Sequence, residues 1–94
     1  MYYFIHAIDK PDSLEVRKAN RDAHLEYVKD FSLFIGGPTL TADYETMTGS
    51  VIIVDLDNDA ALADFLENDP YNKAGLFSSV TTSPWKRSVY NPDV

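Results

Sequence analysis

Residues 51–56 read VIIVDL and form the stretch that decides the fold. β-Branched residues dominate this run, which is typical of a strand in a sheet. Tyr2 to Ile8 is a second run of aromatic and β-branched residues, and it predicts another strand. Phe31 to Ile35 predicts a third strand, which we expect to stop at Gly36-Gly37-Pro38.

Two further segments follow from the same pattern. Thr39 to Thr48 is polar and predicts a loop. Phe77 to Tyr90 predicts a last, long extended segment. Pro84 within it indicates an edge strand or a bulge, because proline cannot donate a hydrogen bond to a neighbouring strand.

Helix start signals separate these strands. Residues 11–30 predict a first helix, with Asp12 or Ser13 as its cap. Residues 57–68 predict a second helix, which the opening Asp-Asn-Asp would cap. Residues 69–74 begin Asp-Pro and predict a short helical turn.

The order of elements, βαββαβ, predicts a single α+β domain over residues 1–94. It folds readily as a four-stranded antiparallel sheet with two helices on one face, the ferredoxin-like arrangement. Both faces of the predicted sheet are apolar, since Tyr3 and Ile5 alternate with Phe4 and Ile8. Two helices cover only one face, so the second face is expected to pack on another subunit's sheet. The sequence therefore predicts a homodimer and leaves a higher oligomer open.

Composition excludes several classes of protein. The chain has a formal net charge of −7, 45% hydrophobic residues and no cysteine. An acidic surface repels phosphate backbones and anionic membranes, so we expect neither nucleic acid nor a membrane as partner. The start of the chain lacks the pattern of a secretory signal, which leaves the cytoplasm as the expected location. With two histidines and no cysteine, a zinc site is not expected, and we predict no metal and no cofactor.

Polar side chains interrupt the packing side of the first helix. At about 100° per residue, the charged residues that cluster on the solvent side are Glu15, Lys18, Asp22, Glu26 and Lys29. The residues expected on the packing side are Val16, Ala23, Tyr27, Val28 and Phe31. Four polar residues fall among that second set or at its margin: Arg17, Asn20, Arg21 and His24. Buried charge is costly unless it is paired, so these groups need partners or a water-lined pocket.

Arg17, Arg21 and His24 project along one line of this helix. Two guanidinium groups and an imidazole on one line would hold an anion and handle a proton. The alternative is that both arginines extend to the rim and that His24 is an ordinary hydrogen-bonded core residue. Spacing alone leaves both interpretations open.

A set of short motifs resembles the YciI-like family. In chain order they are MYYFIHAIDKPDSLEVR at 1–17, RDAHL at 21–25, GGP at 36–38, DPY at 69–71, AG at 74–75 and PWK at 84–86. The resemblance implies a dimeric α/β barrel whose cleft contains a histidine and an aspartate as an acid–base pair. Those roles fall on His24 and Asp69. The loop from Thr39 to Thr48 is shorter than the resemblance leads us to expect.

Other residues near these motifs have both structural and functional interpretations. Asp69 precedes a proline and suits a helix cap, which does not exclude contact with His24. Gly36-Gly37-Pro38 would let a ligand approach the backbone closely, or would simply end a strand, and Gly37 and Pro38 are the residues of this motif that we expect in the site. Tyr71 would supply a hydroxyl to a ligand or pack in the core.

Together these features favour a small-molecule enzyme of lyase or isomerase type. His24 would act as base or acid, oriented by Asp69, while Arg17 or Arg21 holds a small organic anion or a phenolic substrate. Two rivals remain open. The same cleft would serve a non-catalytic dimer that binds a small anion or assists a pathway protein, or the polar groups would only hold the dimer together.

Overall fold

Four antiparallel strands and three helices make up the fold in the computed structural model, which describes residues 1–93. In chain order the elements are β1 (Tyr2–Asp9), α1 (Leu14–Val28), β2 (Ser32–Leu40), β3 (Met47–Asp55), α2 (Asp59–Asn68), α3 (Pro70–Lys73) and β4 (Phe77–Trp85). The strand order across the sheet is β2-β3-β1-β4. The predicted ferredoxin-like βαββαβ arrangement is confirmed.

The β2–β3 hairpin is longer than the sequence predicts. Gly36-Gly37-Pro38 was expected to end β2, yet the strand runs through it to Leu40. Proline is tolerated there because β2 is an edge strand of the sheet. Since β3 begins at Met47, the predicted loop of residues 39–48 shortens to residues 41–46.

The last strand is also an edge strand, as Pro84 indicated. β4 ends at Trp85, so the extended segment predicted to reach Tyr90 is five residues too long. Aromatic contacts continue beyond the strand. The ring centroid of Tyr90 lies 6.3 Å from that of Phe34.

Helix α1 turns a different side to the sheet from the one expected. Its buried residues are Arg17, His24 and Val28, whereas Val16 and Ala23 are exposed. The last two were predicted to pack, but each lies one residue, about 100°, before a buried polar residue. The buried stripe is therefore centred on the polar line itself.

The caps of the helices differ in kind. Asp12 has a φ of 57°, in the left-handed region, and lies before the cap rather than at it. Ser13 occupies the cap position of α1, but its side chain makes no cap hydrogen bond. At α2 the Asn58 side chain accepts from the backbone N–H of Ala61, so this predicted cap is made in the expected way.

The hydrophobic core lies between the helices and one face of the sheet. It is formed by Tyr3, Ile5, Val28, Ile52, Val54, Leu56, Leu62 and Phe65. The opposite face of the sheet has no helix on it and is also apolar. Exposed fractions of 45% at Ile8 and 52% at Ile35 leave large apolar side chains uncovered there. Within residues 1–93, no helix is long and apolar enough to cross a membrane.

Candidate active site

A buried histidine–aspartate pair joins α1 to α3. Nδ1 of His24 lies 2.9 Å from Oδ1 of Asp69, and both side chains are nearly inaccessible. Asp69 also caps α3, since the same oxygen accepts the backbone N–H of Tyr71 at 2.9 Å. An ionised carboxylate can only accept, so the imidazole must donate from Nδ1. Nε2 is then the ring nitrogen left with a lone pair for a ligand.

The Tyr71 ring lies between two side chains of α1. It stacks on the His24 imidazole with 4.1 Å between centroids and 13° between planes. The guanidinium carbon of Arg17 lies 4.6 Å from the centroid of the same ring. Burial raises the pKa of the Tyr71 hydroxyl, and the positive charges of Arg17 and Arg21 only partly offset this. The hydroxyl therefore keeps its proton at neutral pH and is able to donate a hydrogen bond.

Arg17 is paired inside the protein. Its Nε lies 2.7 Å from Oδ2 of Asp9 and one terminal nitrogen lies 2.9 Å from Oδ1, which makes a two-point ion pair. The same terminal nitrogen donates to the Ser50 hydroxyl at 2.8 Å. Burial opposes the charge on Arg17, but the hydrogen bonds and charge of Asp9 outweigh it and raise the pKa of the guanidinium.

Arg21 differs from Arg17 in its surroundings. It lies one turn further along α1 and is exposed. Among residues 1–93, the cations in salt bridges are the N-terminal amine of Met1, Arg17, His24 and Lys29, so Arg21 makes none. Of the two arginines named from the sequence, Arg21 alone presents an unneutralised charge beside the pair of His24 and Asp69.

A cavity of about 190 Å³ lies between α1 and the β2–β3 side of the sheet. Its polar lining comes from Arg17, Arg21, His24, Ser50 and Tyr71. Its apolar lining comes from Leu25, Val28, Leu33, Gly36, Gly37, Pro38, Met47 and Ile52. The helices supply nearly all of the polar side and the strands most of the apolar side, so the cavity has two chemically different walls.

Six of the seven residues predicted for the site line this cavity: Arg17, Arg21, His24, Gly37, Pro38 and Tyr71. The seventh, Asp69, lies behind the imidazole and contacts it directly. Asn20, part of the predicted polar line, instead donates to the Val16 carbonyl at 2.9 Å and takes no part in the site.

Sequence reasoning missed two residues that hold the site together. Asp9 and Ser50 lie on the two central strands and hold Arg17. Gly36, the first residue of the Gly36-Gly37-Pro38 motif, lines the cavity with the other two. The rule that a buried charge needs a partner pointed to some carboxylate near Arg17, but no local pattern singles out Asp9.

Residues 1–93 contain no group of three or more histidine, aspartate or glutamate side chains arranged to hold a metal ion.

The chain belongs to the YCII-related domain family, whose sequence profile matches residues 1–86. An uncharacterised protein of Haemophilus influenzae is 36% identical over 96 residues, which covers 93% of this chain and 98% of the relative. Protein YciI of Escherichia coli is 33% identical over 96 residues, with the same coverage of 93% and 98%.

A solved structure with a named activity is also similar. It is 5-chloro-2-hydroxyhydroquinone dehydrochlorinase from Burkholderia phenoliruptrix, in complex with 2,5-dihydroxybenzoquinone. The two chains are 39% identical, with a TM-score of 0.88, over 94% of this chain and 96% of that one. That neighbour is a lyase-type enzyme that acts on a small hydroxylated ring.

Proposed function

We propose that this protein is a small-molecule lyase that removes HX, such as HCl, from a hydroxylated aromatic ring. The observation that carries the proposal is the hydrogen bond of 2.9 Å between Nδ1 of His24 and Asp69. It fixes the imidazole with its basic Nε2 available, on the wall of a cavity of about 190 Å³. A cavity of roughly 150 Å³ is enough for one benzene ring in a protein interior. The similarity to the dehydrochlorinase supports the same chemistry.

The proposed elimination is balanced without an oxidant. One ring hydroxyl, ortho to the carbon that bears X, loses its proton to His24 while that carbon takes up a proton, which gives the keto tautomer. A second hydroxyl, para to the new carbonyl, then loses its proton, the double bonds shift, and X leaves with its bonding electrons. The products are a hydroxyquinone and HX. A single imidazole that first accepts and later returns a proton suffices for such steps.

Arg21 and Tyr71 have complementary parts in this proposal. Arg21 carries the unpaired charge on the cavity wall and would hold a phenolate oxygen of the substrate. Tyr71 keeps its proton because burial raises its pKa, so it would donate a hydrogen bond to a second oxygen. Arg17 is already bound to Asp9, so it would not be the main contact of the substrate anion. Its charge would contribute to the electrostatic potential in the cavity.

We also propose that the uncovered sheet face joins two copies into a homodimer. The face carries Ile8 and Ile35, both substantially exposed in the single chain. Apolar side chains at such positions favour association with a second sheet. Sedimentation or light scattering of the purified protein measures the subunit number directly, and a monomer at micromolar concentration overturns this part.

A matched pair of histidine variants tests the catalytic proposal. The wild-type protein is incubated without oxygen with 5-chloro-2-hydroxyhydroquinone, and chloride release and quinone absorbance are followed. His24→Asn is expected to lower turnover by about 10²-fold or more, the range for loss of a general base. His6→Asn, on the sheet face away from the cavity, is the control and keeps its turnover, with light scattering to verify that its subunit number equals that of the wild-type protein.

The non-catalytic alternative has a distinct outcome. His24 is only 7% exposed and Asp69 has a structural task as a cap, which is what a binding module would also show. Such a module binds 2,5-dihydroxybenzoquinone, loses it in Arg21→Gln and keeps it in His24→Asn, and releases no chloride from the chlorinated ring. Chloride release that depends on His24 excludes it.

A further inference from the structure

Gly36 presents no side chain at the floor of the cavity. It pairs with Ile52 across β2 and β3, and both residues line the cavity. A Cβ built on Gly36 would lie 3.6 Å from Cγ1 of Ile52, in ordinary contact and without a clash. Any longer side chain at position 36 would therefore extend into the cavity between β2 and α1.

A bulge in β2 is what brings Gly36 to this floor. Leu33 pairs with Val54, and the register then shifts before Ile35 pairs with Ile53. Simple alternation from Leu33 would send residues 35 and 37 to the helix side, but the shift sends Gly36 there instead. A Cβ on Gly37 would have nothing within 4 Å, so that glycine contributes its backbone rather than missing bulk.

The space beside Gly36 matters because the cavity is small. It measures about 190 Å³, against roughly 150 Å³ for a cavity that accepts a bare benzene ring. A ring that carries hydroxyl groups and one further substituent would therefore fill most of it. A methyl or isopropyl group at position 36 would take space from that substituent.

The two walls of the cavity fix which edge of the ring carries that substituent. Arg21, His24 and Tyr71 lie on the helix side, where the hydroxyl groups of a ring find their hydrogen-bond partners. Gly36 and Ile52 lie on the sheet side, where the hydroxyl of the neighbouring Ser50 is already bound by Arg17. An apolar leaving group such as chlorine is therefore favoured against the sheet.

We infer that Gly36 is a specificity-determining position that sets the size of the apolar substituent a bound ring carries on its sheet-facing edge. The inference rests on the proposed function, since it takes the ligand to be a hydroxylated ring. It goes further by naming the wall and the residue that select among such rings.

Two ligands that share one ring and differ by one chlorine test the inference. Binding of 2,5-dihydroxybenzoquinone and of its 3-chloro derivative is titrated with the wild-type protein and with Gly36→Ala and Gly36→Val. Ser32→Val places a valine side chain on β2 at an exposed position outside the cavity and is the control. Circular dichroism verifies that each variant is folded. If Gly36→Val does not fold, the result for Gly36→Ala tests the inference by itself.

The wild-type protein and Ser32→Val are expected to bind both probes. Gly36→Ala should keep its affinity for the unsubstituted ring within about threefold and bind the monochloro ring at least about tenfold more weakly, since overpacking costs of this size are usual. Gly36→Val should lose both probes. If Gly36→Ala weakens both equally or neither, the inference is wrong while the proposed function stands. If the wild-type protein binds neither probe, both fall.

Discussion

The imidazole of His24 lies flat on the ring of Tyr71, with 4.1 Å between the centroids and 13° between the planes. Asp69 holds the edge of the same imidazole through Nδ1. One ring is thus fixed in both tilt and rotation by two residues that begin the same short helix. The proposed base is oriented by α3, and several consequences can be measured.

Substitutions of Asp69 should distinguish its role as the cap of α3 from its role beside the His24 imidazole. Asp69→Asn keeps a good capping residue for the Tyr71 N–H but removes the negative charge beside His24. We expect its melting temperature to stay close to the wild-type value while turnover falls by at least about tenfold, because the carboxylate stabilises the imidazolium that forms. Asp69→Ala should lose both turnover and stability, because loss of the helix cap lowers the free energy of unfolding by about 0.5–2 kcal/mol. Equal turnover in wild type and Asp69→Asn contradicts the assignment.

The buried ion pair of Asp9 and Arg17 predicts strong non-additivity. Asp9→Asn leaves a buried guanidinium without its counter-charge, which should lower the free energy of unfolding by about 3–5 kcal/mol. The double variant Asp9→Leu with Arg17→Met removes both charges and should recover most of that loss. Urea unfolding of the single and double variants measures the coupling. A single-variant loss below about 1 kcal/mol is the result that argues against a desolvated pair.

Arg21 should affect binding but not stability. It is exposed and makes no salt bridge within residues 1–93, so Arg21→Gln should change the free energy of unfolding by less than about 0.5 kcal/mol. The affinity for anionic 2,5-dihydroxybenzoquinone should fall at least about tenfold, and its dependence on salt should weaken. Lys18→Gln removes the same charge from the solvent side of α1 and serves as the control. Equal losses in both variants would indicate only a general effect of net charge.

Alkaline pH should destabilise the fold partly through Tyr71. Burial raises the pKa of its hydroxyl in the folded state, so the stabilisation is fully present below the unfolded value of about 10 and is lost as pH rises through the folded value. Tyr71→Phe keeps the stacked ring and removes the titrating group, so its melting temperature should fall less steeply above pH 10. Tyr44→Phe changes a tyrosine that is 81% exposed and should leave the profile unchanged. Identical slopes in Tyr71→Phe and wild type would contradict the assignment.

Local sequence patterns reach only part of this arrangement. The spacing of Arg17 and His24 predicts that they face inward, because positions seven apart return to the same side of a helix. Asp9 could not be foreseen as the partner of Arg17, since the contact is made between a strand end and a helix only after the sheet is assembled. The continuation of β2 through Pro38 likewise depends on the strand's place at the sheet edge, which topology decides.

The role of the two neighbouring glycines has the same limit. The sequence drew attention to Gly36-Gly37-Pro38 as one motif, and all three residues line the cavity. The register shift after Leu33 exchanges the faces of the residues that follow. Such a bulge has no clear signal in Phe34-Ile35, so which of the two glycines lies on the helix side of the sheet could be identified only in the folded chain.

The double engagement of Asp69 has a consequence for comparing members of the family. A single oxygen both begins α3 and holds the imidazole, so a lineage that abandoned catalysis would still be under pressure to keep an aspartate or a good substitute there. His24 caps no helix, although it packs on Tyr71 and bonds to Asp69. If the proposed function holds, the presence or replacement of this histidine is the better diagnostic of which relatives are catalytic.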